Sequence, residues 1–312
     1  MRVAVIIPTW KARPWLARQL AALATQELRP AAVVVIDSSS PDGSAELARR
    51  LGCRVEVIPQ SEFDHGGSRN RGAALAGADA EVLCFLTQDA LPESPRFLAE
   101  LVAPIADGRA AAAYARQLPY PGASPIEAFV RGWNYPAEPE LRDAAALATR
   151  GVRACFFSNV ASAVARADFQ AVGGFPERTV MNEDMVLCAR LLRSGRRVAY
   201  AAAAEVRHSH DYALRQHLAR YLDIGAFFSR FGDLVPAGGA GGEGQRLVRA
   251  LVLHLQRSGH AELVPRALAE SAAKLLGWQL GRRERWLPGW FKRRVGMHGA
   301  FWARDGRQEG AP

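Results

Sequence analysis

Hydrophobic positions change rhythm repeatedly between residues 3 and 90. Apolar runs at 3–9 (VAVIIPT), 31–37 (AAVVVID) and 80–87 (AEVLCFLT) have the length of buried strands. The segment 54–59 (RVEVIP) alternates like a strand. Between these runs the spacing becomes helical. Leu16, Leu20 and Leu23 mark a helix within 14–26, SPDGSAELARRLG (40–52) reads as turn, helix and Gly stop, and RNRGAALAGA (69–78) reads as a short helix. Strands alternating with helices predict βαβ units, hence an α/β fold with a Rossmann-like, mainly parallel sheet flanked by helices. Right-handed crossovers then align the carboxyl ends of the strands along one edge, where ligands of open sheets bind.

The second half is less regular. ACFFSNVASAVA (154–165) predicts one or two strands, and a loop leads into a helix running from near Glu183 to Gly195. RRVAYAAAAEVRHSH (196–210) predicts a strand closing in two histidines, and 212–231 an amphipathic helix. PAGGAGGEG (236–244) reads as flexible chain. The expected organisation is an α/β domain over 1–231, a Gly-rich linker over 232–245 and a basic, Trp-rich helical region over 246–312.

Composition narrows the class. With 49% apolar and 23% charged residues, the 312-residue chain reads as a soluble globular protein. Its apolar runs are far short of the ~20 residues of a membrane span. The first residues read as a strand rather than a signal peptide. The four Cys are scattered without a CxxC pair, which suits reduced thiols and a cytoplasmic location. The net charge of +9 is uneven: residues 274–312 hold nine Lys/Arg against three Asp/Glu, and four of the seven Trp. Basic residues mixed with Trp suit peripheral association with the inner face of a membrane. The alternative is a solvated basic helix packed on the domain. No nucleic-acid motif accompanies the charge, so nucleic acid is not an expected partner. No GxGxxG follows the first strand, which disfavours a dinucleotide-dependent dehydrogenase.

The polar residues at strand ends are Pro8 and Thr9, Asp37, and Gln88 with Asp89. In FLTQDA (85–90) a hard divalent cation, Mg²⁺ or Mn²⁺, needs only one or two carboxylates when phosphates and water complete its shell, so Asp89 alone suffices. Gln88 offers a neutral oxygen beside it. HGGSRN (65–70) places two glycines before a helix start, where backbone can approach an anion, and Arg69 adds a forked donor set for a diphosphate. An ordinary Gly turn with a surface Arg is the alternative. Asp42 reads as a turn or cap residue. Glu183 and Asp184 stand at a helix start, where carboxylates meet the dipole.

These segments in order, VIIPTW, VVVIDSSSPDGS, HGGSRNRGAALAGA, FLTQDA, GGFPE and NEDMVLCARLLRSG, resemble the signatures of family 2 glycosyltransferases of the GT-A fold. The resemblance covers about residues 3–230. Within that family, EFDHGGSRNRGA, LTQDA, RQLPYPGASPIEAFVRGWNYP and FFSNVASA are similar to bacterial rhamnosyltransferases that use dTDP-L-rhamnose.

The resemblance implies an inverting transfer of a sugar to a saccharide or lipid-linked saccharide acceptor in cell-surface polysaccharide assembly. It implies that Pro8, Thr9, Asp37, Arg69, Gln88 and Asp89 bind the nucleotide-sugar. Asp89 and a histidine after the last strand would hold the metal; His208 matches best, with His210 close behind. Asp184 would be the general base, with Glu183 orienting the acceptor or standing in as base. A carboxylate of ordinary pKa suffices for that role. Gly174 and Phe175 in GGFPE, and Trp133 as a stacking ring, would shape the acceptor pocket; for Trp133 a plain core role is the alternative. A UDP-hexose or UDP-N-acetylhexosamine donor on the same fold is the rival enzyme, and a non-catalytic sugar-nucleotide binder the rival class.

Overall fold

A computed structural model describes residues 1–236, 238 and 240–308, without the side chains of 240 and 306–308. The strands are β1 (Val3–Thr9), β2 (Ala32–Asp37), β3 (Arg54–Val57), β4 (Val82–Leu86), β5 (Leu91–Pro92), β6 (Ala112–Leu118), β7 (Glu140–Arg142), β8 (Ala161–Ala165) and β9 (Val198–Arg207). The helices are α1 (Arg13–Ala24), α2 (Ser44–Arg50), α3 (His65–Leu75), α4 (Phe97–Ala106), α5 (Pro125–Asn134), α6 (Ala145–Thr149), α7 (Arg166–Ala171), α8 (Glu183–Arg193), α9 (Leu214–Phe231), α10 (Ala240–Arg257), α11 (Val264–Gly281), α12 (Gly289–Val295) and α13 (Gly299–Gln308).

The strands form one sheet in the order β3-β2-β1-β4-β8-β6-β9-β5, with β7 also on β9. The first four are parallel, as the βαβ rhythm predicts. β8 then runs antiparallel to both β4 and β6, β6 and β9 are parallel, and β5 and β7 run antiparallel to β9. Of the segment 154–165 only its second half is a strand; Gly151–Cys155 is a 3-10 turn that buries Cys155.

Both faces of the sheet are covered, so the strands alternate between two cores rather than between core and water. Val3, Val5 and Ile7 of β1 point to the side of α1 and α4, where Leu16, Leu20, Leu98 and Leu101 pack. Ala4 and Ile6 point to the opposite side, with Phe85, Phe175, Leu187 and Leu191. That doubling is why β1, β2 and β4 read as unbroken apolar runs.

The stretch expected to be a linker, 232–245, is taken up from residue 240 onward by α10; residues 237 and 239 lie outside the described residues, as do 309–312 of the basic tail. α10 packs on α5 around Ile126, Leu251 and Leu255. α11 lies along α9 at very close range. A Cβ added at Gly277 would come within 2.3 Å of the Leu218 carbonyl oxygen, and one at Gly281 within 2.1 Å of that of Leu222. Only glycine permits this approach. The end of the chain then folds back: Trp302 is buried, and Arg304 donates to the carbonyls of Ser61 and Phe63 ahead of α3.

Candidate active site

The carboxyl ends of β1, β2, β4, β6 and β9 and the turn before β8 bring the candidate residues to one edge of the sheet. At β1 and β2, the Thr9 hydroxyl donates to Asp37 Oδ2 at 3.0 Å, and the Ser40 amide donates to Asp37 Oδ1 at 2.8 Å. Both residues are buried, and Pro8 pairs with Ile36 in the same ladder. Asp42 accepts from the amides of Arg13 and Ser44 and from the Ser44 hydroxyl, as a turn residue does.

Gln88 is a clamp. Its Oε1 accepts from the Trp10 amide at 2.7 Å and its Nε2 donates to the Trp10 carbonyl at 3.2 Å, pinning the loop after β1. With both amide atoms engaged on backbone, Gln88 departs from the expected contact with metal or sugar.

Asp89 meets two histidines. Asp89 Oδ2 lies 3.1 Å from His210 Nε2 and 3.5 Å from His208 Nε2, and the two nitrogens are 3.2 Å apart. These are the separations of neighbouring ligands around a cation about 2.1 Å from each. The donor chemistry fits as well. Arg131 donates to Gln117 Oε1 at 2.6 Å, so that oxygen is an acceptor. His208 Nδ1, 3.0 Å from the same oxygen, must therefore carry its proton, which leaves the Nε2 lone pair facing the triad. Burial pushes the His208 pKa down to about 3, so the ring is neutral at pH 7. Burial works against ionised Asp89, but hydrogen bonds from His210 and Thr87 favour the carboxylate, and its pKa lies below the usual range. Asp89, His208 and His210 thus form a candidate three-ligand site that could hold a cation, with one hard and two borderline donors. His210 was the runner-up in the sequence; here it stands beside His208. The rings around this group are Tyr120, whose hydroxyl donates to the Asp89 carbonyl, and Tyr212, stacked on His210.

The candidate base lies on the other side of one turn. Ser158 and Asn159 precede β8, whose Ala161 pairs with Leu86 at the end of β4. Gln117 donates to the Ser158 hydroxyl, and the Asn159 amide donates to Asp184 Oδ2 at 3.0 Å. One turn therefore touches both the histidine support and Asp184. Asp184 Oδ1 accepts from the Met185 amide at 2.8 Å. Burial, then the neighbouring Glu183 charge, raise the Asp184 pKa to about 7, which corrects the expectation of an ordinary carboxylate. The residue before the pair, Asn182, has a left-handed backbone with φ 60°, a conformation that costs on the order of 1–2 kcal/mol.

Arg69 departs from its expected place on a diphosphate. It is 4% exposed, pairs with Glu183 Oε1 at 3.1 Å and donates to the His65 carbonyl. Glu183 also accepts from Asn159 Nδ2 at 2.9 Å. Burial alone would raise the Glu183 pKa, but the Arg69 guanidinium outweighs it and holds the carboxyl below its ordinary range. Glu183 is thus a buried, charged neighbour of Asp184 rather than a group presented to an acceptor.

The GGFPE loop is core, not acceptor surface. Phe175 is 2% exposed and packs on Phe85 and Phe169, while its backbone bonds Asn70 in both directions. A Cβ at Gly174 would come within 2.9 Å of Asn70 Oδ1. The first glycine of HGG serves the same contact, since a Cβ at Gly66 would fall 1.9 Å from the Pro176 carbonyl oxygen. Trp133 is half-buried on Phe129 of its own helix α5, the plain packing alternative.

A GT-A sheet with a cation triad and a candidate base carboxylate at one edge is the layout of a glycosyltransferase. The chain belongs to glycosyl transferase family 2, whose profile matches residues 4–163. It is 36% identical over 304 residues to the O-antigen chain rhamnosyltransferase WbaN of Salmonella anatum, covering 96% of this chain and 95% of that protein. The O-antigen chain rhamnosyltransferase RfbN of Salmonella typhimurium is also 36% identical over 304 residues, covering 97% and 96%. Among solved structures, the mannosyltransferase PcManGT of Pyrobaculum calidifontis, in complex with GDP-Man and Mn²⁺, aligns with a TM-score of 0.55 at 18% identity, covering 98% and 86%. TarS of S. aureus, in complex with UDP-GlcNAc, aligns with a TM-score of 0.52 at 14% identity, covering 91% and 92%. Those two likenesses establish the fold. Among the described residues no helix is long and apolar enough to cross a membrane.

Proposed function

We propose that the protein transfers L-rhamnose from dTDP-L-rhamnose, with inversion, to a saccharide or lipid-linked saccharide acceptor in cell-surface polysaccharide assembly. The observation that carries this reading is the 36% identity to two O-antigen rhamnosyltransferases along nearly the whole chain.

In this reading Asp184 takes the proton of the acceptor hydroxyl as that oxygen forms its bond to C1 of the sugar. The bond from C1 to the diphosphate breaks, and its electron pair leaves with dTDP. Glu183, charged and held by Arg69 and Asn159, keeps Asp184 basic enough to accept that proton near neutral pH. Asp89, His208 and His210 would hold a divalent cation, Mn²⁺ or Mg²⁺, whose chemistry is to neutralise charge growing on the diphosphate. Thr9 and Asp37 line the nucleotide end, and Gln88 keeps the Trp10 loop against it.

The test is a thermal-shift panel of dTDP, UDP and GDP with and without Mn²⁺ or Mg²⁺, followed by transfer from the matching sugar donor. A ligand that binds only the folded state raises its melting temperature. The expected result is the largest shift with dTDP and a cation, and release of dTDP from dTDP-L-rhamnose. A larger shift with UDP, and turnover of a UDP-sugar instead, overturns the donor assignment.

A further inference from the structure

The Trp-rich end of the chain divides into two halves of opposite character. Trp302 is 1% exposed, its indole donates to Asp223, and Trp278 packs on Phe228. These two rings hold the region to α9. Trp286 and Trp290, by contrast, are 77% and 61% exposed. They stand in the stretch 282–294, RRERWLPGWFKRR. Its one acid, Glu284, is buried on Arg230 and Lys292. Among the described residues, Arg283, Arg285, Arg293 and Arg294 are exposed and have no carboxylate within ion-pair reach.

α11 leads into this stretch. Its inner side carries Gly277 and Gly281 against α9, and Ala267 packs with Ile126, Leu251 and Leu255 of α5 and α10. Its outer face leaves Leu268, Leu275 and Leu276 exposed by 48%, 61% and 53%. Exposed leucines on α11, followed along the chain by two exposed indoles among four exposed arginines without carboxylate partners, combine the two contacts of an interfacial membrane element. Indoles suit the headgroup boundary and guanidinium groups suit anionic phosphates.

We propose that this surface, the outer face of α11 with residues 282–294, docks the protein on an anionic lipid bilayer. A second copy of the chain is disfavoured as occupant, because a two-fold contact would set unpaired arginines against arginines. The surface is also close to the site along the chain. His298, four residues past Arg294, lies 3.2 Å from His65 at the start of α3, the helix that carries Arg69. Docking would therefore hold the sheet edge near a membrane-borne acceptor. That use rests on the proposed transferase reading; the binding itself does not.

The experiment is co-sedimentation of the full-length protein with vesicles of phosphatidylcholine alone or with about one-third phosphatidylglycerol, at low and high salt. Three proteins are compared: the native chain, W286S/W290S, and R285Q/R293Q/R294Q. The native chain is expected to bind only the anionic vesicles, and less as salt rises. Both variants are expected to lose at least about tenfold in binding. Melting temperature, and transfer to a soluble acceptor, should stay unchanged, because these side chains are exposed. Failure of the native chain to bind, equal binding by the variants, or stronger retention on duplex DNA than on vesicles each overturns the proposal. Intact transfer activity alongside such a failure leaves the transferase reading standing.

Discussion

Asp184 owes its pKa near 7 first to burial and then to the charge of its neighbour Glu183. Arg69 keeps Glu183 ionised, and the ionised Glu183 beside a half-buried Asp184 makes the second charge costly. Activity at limiting substrate should therefore rise with pH through about 7 and level off above it, as a pH–rate profile will read. Glu183→Gln removes the opposing charge and should move that profile to lower pH; an unmoved profile would take Asp184 out of the base role. Asp184→Asn should lower kcat by about 10²–10⁴ while dTDP still raises the melting temperature. The same raised pKa has a stability cost. Between the unfolded value of about 4 and about 7 the native chain binds more protons than the unfolded one, so this group's contribution falls as pH rises through that window. The triad supports a separate expectation. Two imidazoles and one carboxylate suit Mn²⁺ better than the harder Mg²⁺, so calorimetry on the protein alone should give Mn²⁺ an advantage of about tenfold or more. His210→Ala should reduce that advantage, and equal affinity for both cations would show that the imidazoles are not ligands.

At the scale of elements, the glycine contacts between α9 and α11 are the least replaceable joint. Gly281→Val puts a branched side chain where even a Cβ would overlap the Leu222 carbonyl oxygen. The helices must separate, and the loss should be about 2–3 kcal/mol, read as a lower urea midpoint. An exposed position on the same helix, such as Leu268→Val, should change the midpoint little. Within a helix, a glycine by itself signals only a weaker helix. Its purpose depends on which backbone lies opposite. HGG shows the same ambiguity, since its first glycine faces the Pro176 carbonyl rather than a ligand.

For the whole molecule, the end of the chain returns to the first half. His298 bridges Asp223 of α9, at 2.8 Å, and His65 of α3, at 3.2 Å, while Arg304 bonds the turn before α3. The C-terminal helices thus brace the helix whose Arg69 sets the charge at Glu183. Deleting residues 296–312 should lower the melting temperature and increase hydrogen exchange in α3. If α3 exchange were unchanged, the brace would be a surface contact only.

The linear pattern determined the parallel half of the sheet, because apolar runs and helical spacing are local properties. It also carried the order of motifs that marks the family, and with it Asp89, Asp184 and the histidine pair as candidates. What it left open depended on contacts between segments far apart. Gln88 is a clamp because Trp10 backbone lies beside it, and Arg69 is spent on Glu183 because the start of α8 packs over α3. Gln117, which fixes the His208 tautomer, sits on β6, a strand whose neighbours β8 and β9 come from much later in the chain. A pKa or a tautomer is set by the charges and donors that surround a group. Only the folded chain decides which residues those are.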